Sequence, residues 1–142
     1  MHPFSRTYQF KSDLFCIRET LAQIMSDIEE IAPQADSVGT MEIVLAEVLN
    51  NISEHAYEGA PNGKITAKLE HHKAILTCEI WDKGKAMPNG DAPTGKTAEV
   101  DVDTDALPEG GFGWFLIREM TLDLDYGREA EQNRLRFRLP LE

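Results

Sequence analysis

Residues 45–59 read LAEVLNNISEHAYEG. With Met41 and Val44 just upstream, Leu45, Val48, Ile52 and Ala56 recur at three- and four-residue spacing, the period of a helix with one apolar face. Asp36 or Ser37 can cap its start, and Tyr57-Glu58-Gly59 ends it. Glu47 and Asn51 stand four residues apart and project from nearly the same side, roughly 40° apart around the axis. His55 extends this polar stripe by another turn. A polar stripe beside a buried face is ordinarily solvated surface, so the spacing of Glu47 and Asn51 alone names no site.

Upstream, Leu14, Ile17, Leu21, Ile24, Ile28 and Ile31 give a second apolar stripe. This helix is capped by Ser12 or Asp13 and stops before Pro33. Phe4 to Phe10 alternates apolar and polar residues, which suits a short strand near an edge. Downstream, the turn cluster Gly59 to Gly63 precedes Ile65, Ala67 and Leu69, which alternate with Thr66, Lys68 and Glu70 as a half-buried strand. A turn at His71-His72 leads into a second strand from Ala74 to Trp81, an antiparallel hairpin with Asp82 at its end. Lys83 to Glu109 holds Pro88, Pro93 and Pro108 with Gly84, Gly90 and Gly95, a loop long enough to serve as a lid. Trp114 to Met120 reads as a short buried helix. Leu122, Leu124 and Tyr126, then Leu135, Phe137 and Leu139, give two closing strands joined by the turn Arg128 to Asn133. The order predicts an α/β two-layer sandwich, a mainly antiparallel sheet with three helices on one face.

The chain has 142 residues, 42% of them hydrophobic, enough for one core and hence one domain over residues 1–142 that folds alone. The net charge of −11 disfavours nucleic acid and anionic membrane as partners. From Glu19 to Gly63 there are nine acidic residues and no Lys or Arg, an acidic face that is either simply solvated or a dock for a basic partner. No apolar run exceeds four residues, and the first six residues lack the basic and apolar regions of a signal peptide, so a soluble cytoplasmic protein is expected. Cys16 and Cys78 lack CxxC spacing and read as reduced core residues. Asp101, Asp103 and Asp105 open like a calcium loop, but Ala106 and Phe112 stand where its Gly and bidentate Glu belong. His71-His72 has no further ligand at zinc spacing. Arg134, Arg136 and Arg138 share one strand face, where acids of a neighbouring strand can pair with them.

Two further features keep company with Glu47 and Asn51. Asp82-Lys83-Gly84 puts a carboxylate and then a glycine where a strand gives way to the loop; such an Asp accepts a hydrogen bond from an exocyclic amine, and such a Gly admits a flat ring close to the backbone. Gly110-Gly111-Phe112-Gly113 opens a helix, where free N–H groups favour phosphate oxygens.

In this order and spacing, LAEVLNNISEHAYEG resembles the N box, IWDKGKAMP the first glycine box and EGGFGWFLIREM the second glycine box of the GHKL ATPases. Within them the chain is most similar to the anti-sigma-factor serine/threonine kinases of bacterial partner-switching systems, over essentially its whole length. The resemblance implies the Bergerat-type ATP-binding fold with ATP and Mg²⁺ as cofactors. It makes Glu47 the general base, Asn51 a magnesium ligand, Asp82 the acceptor for the adenine amine and Gly84 the residue under the ring. Gly111 and Gly113 become the phosphate-side backbone, and a lid spans about 83–110. Its partners would be a sigma factor or analogous regulator and a small anti-anti-sigma antagonist as phosphorylation substrate, with a homodimer left open. Three departures stand out: Ala86 replaces the second glycine of the first glycine box, Glu109 precedes the second, and the closing strand from Asn133 lacks the threonine that many members place near adenine. A non-catalytic nucleotide-binding regulator that sequesters a partner is the alternative.

Overall fold

The computed structural model describes residues 4–33, 36–87 and 111–141. Among the described residues, five strands and three helices follow in the order β1 (Phe4–Lys11), α1 (Leu14–Ile31), α2 (Val38–Asn51), a π-helical turn (Ile52–Ala56), β2 (Lys64–His72), β3 (Ile75–Asp82), α3 (Gly111–Met120), β4 (Leu122–Glu129) and β5 (Gln132–Pro140). The strands form one antiparallel sheet in the order β1-β2-β3-β5-β4. This is the α/β sandwich that the sequence pattern predicts. Residues 88–110, the bulk of the expected lid, lie outside the described residues.

Alternation sets which face of the sheet is covered. Ile65, Ala67 and Leu69 of β2, Leu76, Cys78 and Ile80 of β3, and Leu135, Phe137 and Leu139 of β5 are all buried on one parity. Against them pack Ile17, Ile24 and Ile28 of α1, Met41, Val44, Leu45, Val48 and Leu49 of α2, and Ile117 of α3. Each such side chain contributes roughly 1.5–3 kcal/mol on burial, so this seam is what holds the helices to the sheet. On the other parity Arg134 and Arg138 pair with Asp125 and Asp123 of β4, as the arginine row suggests.

The structure differs from the sequence reading at several local points. Leu14 and Ile31, the ends of the expected α1 stripe, are 55% and 38% exposed and lie outside the core. Cys16 is half-buried and outside the core, whereas Cys78 is buried and its thiol is pushed up by desolvation. Asp13 caps α1 through the Cys16 N–H, 3.0 Å away. Ser12 instead goes inside, where its hydroxyl donates to the Ala60 carbonyl and accepts from the Gly63 N–H. His71 and His72 belong to β2, and the turn is Lys73-Ala74, both at positive φ. The last hairpin likewise turns on Ala130-Glu131, not across Arg128 to Asn133. Two-residue turns of this hand match the strand twist, and neither has the glycine or asparagine that marks them in sequence.

Candidate functional site

The helix carrying Glu47 and Asn51 does not continue as an α-helix. At Ile52 it widens into the π-turn, closed by the Tyr57 N–H bonding the Ile52 carbonyl at 3.0 Å. The wider turn breaks the stripe expected to run on to His55, which is exposed, and buries Ser53 instead. The Ser53 hydroxyl donates to the Ser12 carbonyl at 2.9 Å, tying the turn to the start of α1.

Asn51, the last residue of α2, is buried, and its Nδ2 has no hydrogen-bond partner among the described residues. Beside it lies Gly113, near the start of α3. A Cβ at Gly113 would sit 2.5 Å from Glu47 Oε2 and 3.8 Å from Asn51 Nδ2. Glu47, Asn51 and the entry of α3 therefore converge, and the missing side chain at Gly113 is what makes room for the carboxylate. Gly111 is the first residue of that helix, whose opening N–H groups have no partner within the helix.

A second group assembles where β3 ends. Asp82 continues the buried parity of Leu76, Cys78 and Ile80 and is itself buried. Its Oδ1 accepts from the Gly84 N–H at 2.9 Å and from Asn133 Nδ2 at 2.8 Å. Burial raises its pKa above the ordinary carboxylate value, while those two hydrogen bonds and the Arg128 charge oppose the rise. Gly84 is packed against the end of the π-turn: a Cβ there would come within 2.6 Å of the Ala56 carbonyl carbon and closer still to its oxygen. The Lys85 N–H donates to that same oxygen at 2.7 Å. Room beside the π-turn is thus a reason for glycine at position 84 that needs no bound ring. The five-residue π-turn joins the two groups, with Asn51 immediately before it and Ala56 at its end.

Sequence reasoning missed Asn133. It pairs with Asp82 in the β3–β5 register and is buried. The signal was the parity of β5: Leu139, Phe137 and Leu135 point inward, so Asn133 must too, directly opposite Asp82. Tyr126 and Arg128 of β4 complete the group by donating to its Oδ1.

Among the described residues no group of three His, Cys, Asp or Glu side chains is placed to hold a metal alone. Asn51 fits magnesium in company with phosphate oxygens: its carboxamide oxygen is a hard ligand, and its buried Nδ2, which has no hydrogen-bond partner among the described residues, can donate to a phosphate oxygen.

The model of the histidine kinase-like ATPase domain family matches residues 12–139. The serine-protein kinases RsbW of Listeria innocua serovar 6a and Listeria monocytogenes serotype 4b are each 27% identical to the chain over 93 residues, 63% of this chain and 57% of theirs. The match thus spans little more than half the length of these relatives. Among solved structures, the catalytic domain of the histidine kinase ThkA superposes with a TM-score of 0.53 at 14% identity over 96% of both chains, a likeness of fold.

Proposed function

The chain belongs to the histidine kinase-like ATPase domain family, and from that premise we propose that it is an ATP-dependent serine/threonine protein kinase acting as an anti-sigma factor. In this reading it is one ATP-binding domain that works in the cytoplasm and phosphorylates a small antagonist protein. The observation that carries the proposal is the convergence of Glu47 and the orphaned Asn51 amide on Gly113. The similarity to serine-protein kinases supports the choice of reaction, and no helix among the described residues is long and apolar enough to cross a membrane.

The roles follow from chemistry. Phosphoryl transfer needs positioning and charge neutralisation more than covalent help. Glu47 accepts the proton of the attacking serine or threonine hydroxyl and aims its oxygen at the γ-phosphate. Gly113 leaves the carboxylate its place, and the N–H groups from Gly111 onward face phosphate oxygens at the positive end of α3. Asn51 supplies an amide oxygen to Mg²⁺, which when bound neutralises triphosphate charge. Asp82, aligned by the Gly84 N–H, accepts the exocyclic amine of adenine, and Gly84 lies under the ring.

The test is transfer of labelled γ-phosphate from Mg·ATP to a serine or threonine hydroxyl of a small antagonist-type protein that binds this chain. Phosphoserine or phosphothreonine on that protein supports the kinase. Stable binding of both nucleotide and antagonist without any transfer refutes it.

A further inference from the structure

The Asn133 side chain is 3% exposed and uses its entire hydrogen-bonding capacity inside the protein. Nδ2 donates to Asp82 Oδ1 at 2.8 Å and to the Lys85 carbonyl at 2.9 Å, with the Gly84 carbonyl at 3.4 Å sharing the donors. Oδ1 accepts from the Tyr126 hydroxyl and, at 2.8 Å, from Arg128 Nη1. Two donors and two lone pairs are the full inventory of a carboxamide, so nothing is left with which to touch a ligand. The orientation is also fixed. Turned over, the amide would set its oxygen against a carboxylate and two carbonyls, and its N–H groups against a guanidinium.

The partners of this side chain hold the segment after β3 at several points. Arg128 Nη1 also donates to the Gly84 carbonyl at 3.0 Å, and the Met87 N–H donates to the Tyr126 hydroxyl at 3.0 Å. One amide therefore links Asp82 at the end of β3, the backbone of residues 84–87 and two side chains of β4. Both hydrogen bonds that Asp82 makes among the described residues end on Oδ1. Oδ2 is the oxygen they leave for a ligand.

We propose that Asn133 is the positioning residue for nucleobase selection: it locks the Asp82 carboxylate in one orientation, so that only a base presenting an amine to Oδ2 is accepted. This rests on the adenine role given to Asp82 above. A locked acceptor rejects guanine, which carries a carbonyl in place of the adenine amine, because the two oxygens would face each other without a proton. A carboxylate free to rotate loses that discrimination. Selectivity from a fixed polar group exceeds what shape alone provides, since the wrong ligand leaves a desolvated polar atom unpaired.

The test uses the full chain and compares Mg·ATP with Mg·GTP by isothermal titration calorimetry, with thermal melts as a folding control. Asn133→Leu keeps approximately the volume and removes both donors without setting a second carboxylate against Asp82. Tyr126→Phe keeps the ring and removes only the hydroxyl holding Oδ1 and Met87. In Asn133→Leu the preference for ATP over GTP is expected to fall by about 10- to 100-fold, the value of a hydrogen bond to a charged group, with GTP affinity little changed. Tyr126→Phe should show a smaller loss of the same preference. If the wild type prefers ATP and both variants keep that preference, the positioning role is wrong while the adenine site stands. Equal loss of both nucleotides with a lowered melting temperature makes Asn133 merely structural, and also overturns the proposal. A wild type that binds ATP and GTP equally overturns the adenine role of Asp82 itself.

Discussion

Gly113→Ala tests the juxtaposition on which the site is built. The new Cβ would lie 2.5 Å from Glu47 Oε2 and 3.5 Å from Glu47 Cδ, where ordinary contact begins near 3.4 Å. The carboxylate must therefore retreat by about 1 Å. It is the far end of a flexible side chain, so a retreat through off-rotamer torsions costs of order 0.5–1.5 kcal/mol. Alanine's better helix propensity offsets up to about 1 kcal/mol of that. With unfolding entropy near 2.1 cal/mol/K per residue over a chain of this length, the melting temperature should move by less than about 5 °C. Catalysis should suffer far more. A misplacement of ~1 Å costs about 10²-fold in rate, and the whole contribution of a general base is ~10²- to 10⁴-fold. Single-turnover transfer from labelled Mg·ATP to the antagonist, with melts and nucleotide titrations alongside, separates these effects. A normally folded variant whose transfer rate stays within about threefold of wild type would refute the reasoning, since Glu47 would then have no role that depends on its place beside Gly113.

Three other substitutions probe the remaining parts. Asn51→Leu removes a buried, unpartnered amide, so the nucleotide-free protein should melt higher, with about 1–3 kcal/mol of relief as the ceiling; the extra stabilisation that Mg²⁺ adds to ATP should vanish in the same melts. Gly84→Ala drives a Cβ into the Ala56 backbone, which has no torsion with which to yield, so a loss of about 1–3 kcal/mol and a melting point lower by roughly 3–10 °C is expected by calorimetry. Asp82→Asn concerns pH. Because burial raises the folded pKa, the contribution of this group to stability is fully present below its ordinary value of 3.8 and is lost as pH rises through the raised folded value. At neutral pH the variant should therefore be at least as stable as wild type and should lose the falling limb just above pH 3.8, while its preference for adenine disappears; a pH series of melts with nucleotide titrations checks both.

The elements with a clear period were legible in the sequence. Met41, Val44, Leu45 and Val48 of α2 are buried as their spacing requires, and β2 and β5 bury the alternating positions read for them. The π-turn was not legible, because Ile52 and Ala56 fit a 3.6-residue period as well as a wider one; only the bond from Tyr57 to Ile52 distinguishes them. Turn positions slipped for a related reason: Lys73-Ala74 and Ala130-Glu131 adopt positive φ without the usual residues, so the hairpin geometry and not local preference sets them. Asn133 ends the polar stretch that reads as a turn and opens the closing strand, so its sequence neighbours give it no clear face. Its parity with Leu135 placed it inside, opposite Asp82, once the β3–β5 register was known. Its partner Tyr126 fits the strand pattern as an apolar residue, whereas its hydroxyl reaches both Asn133 and Met87.

The central claim is that Glu47 performs chemistry at a magnesium–nucleotide site and is dispensable for binding. It is tested most directly by measuring, on wild type and Glu47→Ala side by side, the affinity for Mg·ATP, the affinity for the antagonist and the rate of phosphate transfer between them. The account predicts two affinities that barely change and a transfer rate that falls by about 10²- to 10⁴-fold. Measurable transfer by wild type that persists unchanged in Glu47→Ala, or an equal absence of transfer in both proteins while each still binds the antagonist, would contradict it.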